Sequence, residues 1–355
     1  MKKFVRILLN AVLGLVFLVA VLAILTWQTT DHPADEQTES VSCKPNTPML
    51  KPKQDVKVMS WNIQYLAGKG YVFYYDTPEG DGPDTRPSPS AVAQTLKGVI
   101  QVIQSENPDV LLLQEVDVHS KRTDQMDQLR ALQDALKFNC ETGAYYWKAE
   151  FVPHPKILGS VGMKLVTLSK YQMASATRYQ LPVIDADPVT KAFYFRRAIL
   201  EANLSVSGSK PLRVLNTHLD AFAQGTQTMQ HQVEKVHQIL SLDTRFIIGG
   251  DFNLLPNKAA WDALDNVQRS YFNPETEISI LLKDFSSIPS LHEIQKSPKT
   301  WYTHFPNDPR VKGPDRTLDY LFYGRAVRLG AHQVRSADTL KWSDHLPLVA
   351  TFSVE

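Results

Sequence analysis

The sequence predicts an α/β domain preceded by one N-terminal transmembrane helix. Three observations lead there. Residues Ile7 to Trp27 are almost continuously apolar. From Asp55 onward, short strand-like runs alternate with amphipathic helical patterns. Several of those runs end in a carboxylate, an amide or an imidazole, where open sheets place their sites. Composition agrees with a folded chain: of 355 residues, 43% are hydrophobic and 21% charged, which excludes a disordered chain and a multi-span membrane protein.

The apolar run is long enough, at ~1.5 Å per residue, to span a bilayer core of about 30 Å. Lys2, Lys3 and Arg6 precede it and no Asp or Glu appears before Asp31. The expected topology is therefore an N-terminus in the cytoplasm and the remainder outside, periplasmic in a Gram-negative cell. A cleaved signal peptide is the alternative, but its apolar core is usually only about 7–15 residues. Residues 1–28 are thus read as a membrane anchor. Residues 29–54 are polar, carry Pro33, Pro45, Pro48 and Pro52, show no period, and are read as a linker. Residues 55–355 form the domain. Cys43 and Cys140 are the only cysteines; outside the cytoplasm they can pair.

Within the domain, Val56–Trp61 reads as a strand. Ser88 and Pro89 form a helix start, followed by Val92, Thr95, Leu96, Val99, Val102 and Ile103 on one face. Val110–Leu113 is a buried strand. Arg213–Asn216 and Phe246–Ile248 are further strands, with Met229, Val233, Val236 and Leu240 marking a helix between them. Leu348–Val354 closes the chain as a strand. Residues 68–90, rich in Gly, Pro and aromatics, are expected to be a functional loop, and 270–312 to be irregular.

Six segments share one form: Ser60-Trp61-Asn62, Leu113-Gln114-Glu115, Asn216-Thr217-His218, Gly249-Gly250-Asp251-Phe252-Asn253, Leu318-Asp319-Tyr320 and Ser343-Asp344-His345. Each alone is weak, since a Glu ending a strand is usually solvated and Asp-Phe-Asn can be a simple Asx-turn. Together they supply what phosphoester hydrolysis needs: oxygen ligands for a hard cation, a carboxylate to activate water, and donors for the phosphoryl charge. There is no sulfur ligand set or HExxH for a zinc peptidase, and no GxSxG, P-loop or GxGxxG after a strand.

The order and wording of these segments resemble the endonuclease/exonuclease/phosphatase superfamily, which includes pancreatic-type deoxyribonucleases, apurinic endonucleases, inositol polyphosphate 5-phosphatases and neutral sphingomyelinases. The resemblance covers about residues 55–355. It implies a four-layer α/β/β/α sandwich of two mixed sheets. It implies Mg²⁺, replaceable by Mn²⁺, held by Asn62, Glu115 and Asp344. Asp251 then activates water. Asn253, His218 and Arg197 bind the phosphate, with Arg196 the alternative arginine. His345 contacts the scissile phosphate, and Asp319 holds its tautomer. His218 speaks against the apurinic branch.

The implied activity is that of a metal-dependent phosphodiesterase or phosphomonoesterase on the membrane. The anchor favours lipid or inositol-phosphate-type substrates. An extracytoplasmic nuclease is the runner-up, disfavoured by a chain with 38 Lys and Arg against 37 Asp and Glu, which lacks a dominant basic field. A catalytically inactive surface-tethered binding module is the third reading, opposed by an intact set of Glu115, Asp251 and His345.

Overall fold

In a computed structural model, which describes residues 2–223 and 225–354, the chain begins with helix α1, Lys2–Thr29, exposed along its length. By length and composition α1 is a candidate membrane span or signal sequence. Fourteen strands follow: β1 Glu36–Glu39, β2 Val41–Cys43, β3 Asp55–Asn62, β4 Val110–Asp117, β5 Cys140–Val152, β6 Gly159–Ser169, β7 Met173–Gln180, β8 Ala198–Leu204, β9 Leu212–His218, β10 Phe246–Asp251, β11 Ser286–Ile288, β12 Asp319–Tyr323, β13 Val327–Val334 and β14 Leu348–Val354. Helices α2 Pro89–Glu106, α3 Gln128–Leu136, α4 Pro188–Phe193 and α5 Thr228–Leu240 lie between strands.

The strands make two seven-stranded sheets, ordered β1-β7-β8-β9-β10-β12-β11 and β13-β14-β3-β4-β6-β5-β2. The pairs β9–β10 and β3–β4 are parallel and the other pairings within the sheets antiparallel, so both sheets are mixed. They face each other across a core in which Val58, Leu112 and Leu348 of one sheet meet Val214, Ile247 and Leu321 of the other. Each such buried aliphatic side chain contributes about 1.5–3 kcal/mol of transfer free energy. Helices α2 and α3 cover one outer face through Val99, Val102 and Leu132. Helix α5 covers the other through Val233 and Val236. The result is the four-layer sandwich that the resemblance implied.

Local chemistry explains the helix that leads into the site. Ser88 caps α2, its Oγ accepting from Ala91 N at 3.2 Å, and Pro89 occupies the first turn, where no donor is needed. Asn107 ends it in a left-handed conformation. All of the expected face is buried except Leu96, which is partly so.

The segment 29–54 departs from expectation. It is not a free linker. Its strand β1 pairs with β7 in one sheet and β2 with β5 in the other, and Leu50 is buried in the core between the sheets. Two edge strands need backbone pairing more than apolar side chains, so their polar sequence hid them. Cys43 lies directly opposite Cys140 in the β2–β5 ladder, and the two form a disulfide across 97 residues of sequence. Cross-linking so long a loop restricts the unfolded chain. Replacing both cysteines with serine is expected to cost about 2–4 kcal/mol, read as a lower urea midpoint for the full chain in detergent.

The stretch 68–90 is irregular but docked: Phe73 is buried and stacks between Tyr71 and Tyr75. The stretch 270–312 holds the edge strand β11 and several short helices.

Candidate active site

The residues gather at the C-terminal ends of the two central parallel pairs. Asn62 ends β3, Glu115 lies in β4, His218 ends β9 and Asp251 ends β10. Register sets the arrangement: Asp251 stands between His218 on the parallel side and Asp319 on the antiparallel side. The close approach of β9 and β10 requires Gly250, where a Cβ would lie 2.0 Å from the Thr217 carbonyl oxygen.

Glu115 owes its direction to an irregularity. The β4–β6 pairing shifts between Leu113 and Val116, and Glu115 adopts φ 58°. A bulge of this kind re-aims one side chain out of the pleat. Its neighbour Gln114 points between the sheets, donating to Asn216 Oδ1 at 2.7 Å. Asn216 in turn donates to the Leu113 and Val166 carbonyls at 2.9 Å each. These two buried amides tie β4 and β6 to β9 directly beneath the site.

Asp251 is the hub. Its Oδ2 accepts from Asn62 Nδ2 at 3.1 Å and lies 3.3 Å from His218 Nε2 and 3.4 Å from His345 Nε2. Its Oδ1 accepts from Asn253 N at 3.0 Å. Asn62 Nδ2 also donates to Glu115 Oε1 at 3.1 Å, while Asn62 Oδ1 accepts from Gln64 N. Asn62 thus links two carboxylates through its nitrogen. His345 Nδ1 lies 2.8 Å from Asp319 Oδ2. Trp61 Nε1 donates to the His345 carbonyl and Ser343 Oγ to the Asn62 carbonyl, so the last loop is fastened to β3.

Burial and charge divide the roles. Burial opposes a charged His345, but Asp319 and Asp251 outweigh it and hold the imidazole well above its ordinary range. His218 is pushed well below by burial, with Arg197 and His345 adding to the effect, so it is neutral near pH 7. Burial, reinforced by Asp319, raises Asp251 to about 7 against the opposing pull of His345. Glu115 is raised by burial and by the Asp344 carboxylate.

A hard dication fits this chemistry. Glu115 and Asp344 offer carboxylate oxygens, their mutual repulsion is of the kind a cation relieves, and the thiols of the chain are locked in the disulfide. Two further groups of potential ligand atoms lie within 4.8 Å of one another: His304, Asp344 and His345, and Asp251, Asp319 and His345.

Glu115, Arg197, His218, Asp251, Asn253, Asp344 and His345 all line one cavity of about 860 Å³. Asn62 and Asp319 stand behind it, touching residues that line it. Arg197 is buried, stacked 4.2 Å over Phe195, and its Nε and Nη1 find no partner among the described residues. Its neighbour Arg196 is absent from the cavity wall, as alternation along an extended chain requires. Asn253 Nδ2 donates to the Leu219 carbonyl at 3.1 Å.

Sequence reading missed two groups. His304 packs 4.5 Å from the His345 ring, its Nε2 4.0 Å from Asp344 Oδ2. Tyr146 places its hydroxyl 3.3 Å from His218 Nδ1. Neither closes an apolar run in the sequence, so the signal that found the others was absent.

The Endonuclease/Exonuclease/phosphatase family matches residues 59–345. Among curated proteins none matches the chain. A solved endonuclease/exonuclease/phosphatase from Beutenbergia cavernae is similar, with 22% identity over 85% of this chain and 72% of that one, and a TM-score of 0.58. The human Nocturnin catalytic domain has 17% identity over 89% and 97% of the two chains, at 0.53. ANGEL2, a 2′,3′-cyclic phosphatase, has 15% identity over 89% and 99%, also at 0.53. These likenesses are of fold.

Proposed function

The chain belongs to the endonuclease/exonuclease/phosphatase family, and on that premise we propose that it is a membrane-anchored, divalent-metal-dependent hydrolase of phosphoesters, with lipid or inositol-phosphate-type substrates favoured. One observation carries the reading: Asp251 touches Asn62, His218 and His345 within 3.1–3.4 Å at the floor of an open cavity.

Asp251 orients the attacking water and takes its proton. Neutral His218, Arg197 and Asn253 bind the phosphate oxygens. His345, kept in place by Asp319, donates to the scissile phosphate. Glu115 and Asp344, with Asn62, would hold Mg²⁺ or Mn²⁺; when bound, the ion supplies positive charge to the phosphoryl oxygens. Everything else in the scheme is positioning and proton placement by the chain itself. Such a set exceeds what an inactive binding module requires, since that module has no use for a buried base.

The disulfide supports an oxidising compartment for residues 30 onward, with α1 as the anchor and its N-terminus in the cytoplasm. An extracytoplasmic nuclease of the same fold is the second reading, and the near balance of charge in the chain disfavours it.

The test is direct. The full chain in detergent is expected to hydrolyse bis(p-nitrophenyl) phosphate with Mg²⁺ or Mn²⁺. EDTA should abolish turnover and added Mg²⁺ restore it. Turnover that survives EDTA removes the metal from the scheme. Side-by-side assays with plasmid DNA, sphingomyelin and inositol phosphates rank the substrates, and nicking of DNA without lipid turnover selects the nuclease reading.

A further inference from the structure

Helix α1 does not hang from the domain. Thr30, the residue after it, is buried and forms an antiparallel bridge with Ala149 of β5. Trp27 stacks on His32 with 3.6 Å between ring centroids. The same antiparallel sense continues at Val41 opposite Thr142 and Cys43 opposite Cys140. Strand β5 therefore runs from the disulfide back toward the end of α1.

This direction has a geometric result. Phe151 lies two residues beyond Ala149, about 7 Å along a strand. Trp27 lies three residues before Thr30, about 5 Å along a helix. Phe151 and Trp27 thus both lie within three residues of the bridge that joins the end of α1 to β5, and the turn joining β5 to β6 follows directly. Trp near the end of a spanning helix marks the headgroup level.

That turn is also a wall of the cavity. Pro153, His154, Ile157 and Leu158 line it, together with Val189 of α4 and Phe222. Outside α1, eight large hydrophobic residues are exposed among the described residues, and four of them, Phe151, Leu158, Val189 and Phe222, lie on or beside this rim. Singly exposed apolar residues are ordinary, but a gathered set marks an interaction surface. Exposed Lys148 and Lys156 flank it, with Glu150 the intervening acid. Inside the rim, Tyr74, Tyr75, Trp147, Phe193 and Phe195 line the approach to the phosphate-facing residues.

We propose that this rim is a membrane-contact surface, so that the cavity opens onto the bilayer holding α1 and receives a phospholipid headgroup from it. The substrate part of this inference rests on the phosphoester-hydrolase reading above; the contact itself does not. The occupant is a bilayer because the rim continues from a candidate span whose last residues are fixed to the same strand. The apolar residues enter the headgroup boundary, and the aromatic approach takes the part of the lipid next to its phosphate.

The test uses the full chain in phosphatidylcholine vesicles. Both native cysteines are disulfide-bonded, so a polarity-sensitive fluorophore can be placed on Leu158→Cys alone. The comparison site is Leu242→Cys, 70% exposed and preceding the N-terminal end of β10, away from the strand ends that carry the site. With brominated acyl chains, about half of the emission at 158 should be lost and little at 242, matching shallow insertion of about 5–10 Å. Phe151→Cys provides an independent probe of the same surface and should behave like 158. Equal quenching at rim and comparison sites, or none at either, overturns the proposal. Soluble bis(p-nitrophenyl) phosphate, assayed on the same vesicles, separates the two ideas. Hydrolysis without selective quenching removes the membrane contact and keeps the hydrolase. Selective quenching without hydrolysis keeps the contact and removes the hydrolase.

Discussion

Asp251→Asn is expected to lower kcat on bis(p-nitrophenyl) phosphate by about 10²–10⁴-fold, the range of a lost general base. The substitution keeps the shape and removes the proton acceptor. Binding of the phosphate should change less, because His218, Arg197 and Asn253, the groups proposed to bind it, remain. The same residue sets the acid side of the pH profile. Burial raises Asp251 to about 7, and only its ionised form can accept a proton. Wild-type kcat should therefore climb between about pH 6 and 8, and that limb should vanish in the variant. A dication nearby favours the ionised form, so loading the metal shifts the limb toward acid. An Asp251→Asn enzyme with full turnover would show that another group activates the water.

His345→Ala should cost about 10²–10³ in kcat, the loss seen when one donor to a developing anion is removed. Asp319→Asn should approach it. Asp319 lies 2.8 Å from His345 Nδ1 and does not line the cavity, so its main influence passes through the ring, with a smaller charge effect on Asp251. In the proposed mechanism it would fix which nitrogen faces the phosphate, and it helps keep the ring charged. The double variant should then be little slower than His345→Ala alone, because the two residues act as one unit. The sign on the alkaline side follows: the charged imidazole is favoured below its raised pKa and lost above it. Asp319→Asn weakens that hold, so the alkaline decline should begin at lower pH. Multiplied effects in the double variant would mean that the action of Asp319 on Asp251 outweighs its action on His345.

Much of this was written in the sequence at the ends of apolar runs. Asn62, Glu115, His218 and Asp251 each lie at or near the end of a buried strand, whose apolar residues stand out even where Lys57 or Arg213 interrupts them. The four-layer arrangement came instead from resemblance, because periodicity cannot say which strand lies beside which. Edge strands were silent: Glu36–Glu39 has no apolar residue, and its place depends on hydrogen bonds to Met173–Gln180. Leu50, next to Met49 in a short stretch bounded by prolines and lysines, gave no period although it is buried. His304 sits in an irregular stretch, where neighbours in space are not neighbours in chain. The bulge at Glu115 left no mark either, since it is a feature of the register between β4 and β6.

The two amides Gln114 and Asn216 stand under a division of labour. Asn62, Glu115, Asp344 and His345 belong to one sheet and its loops, whereas His218, Asp251 and Asp319 belong to the other. Neither sheet alone contains the whole set. Competence is a property of the seam, born when the two leaves close and the amide clasp fixes their mutual offset, and a slip of one leaf against the other would disarm the enzyme with every strand still intact.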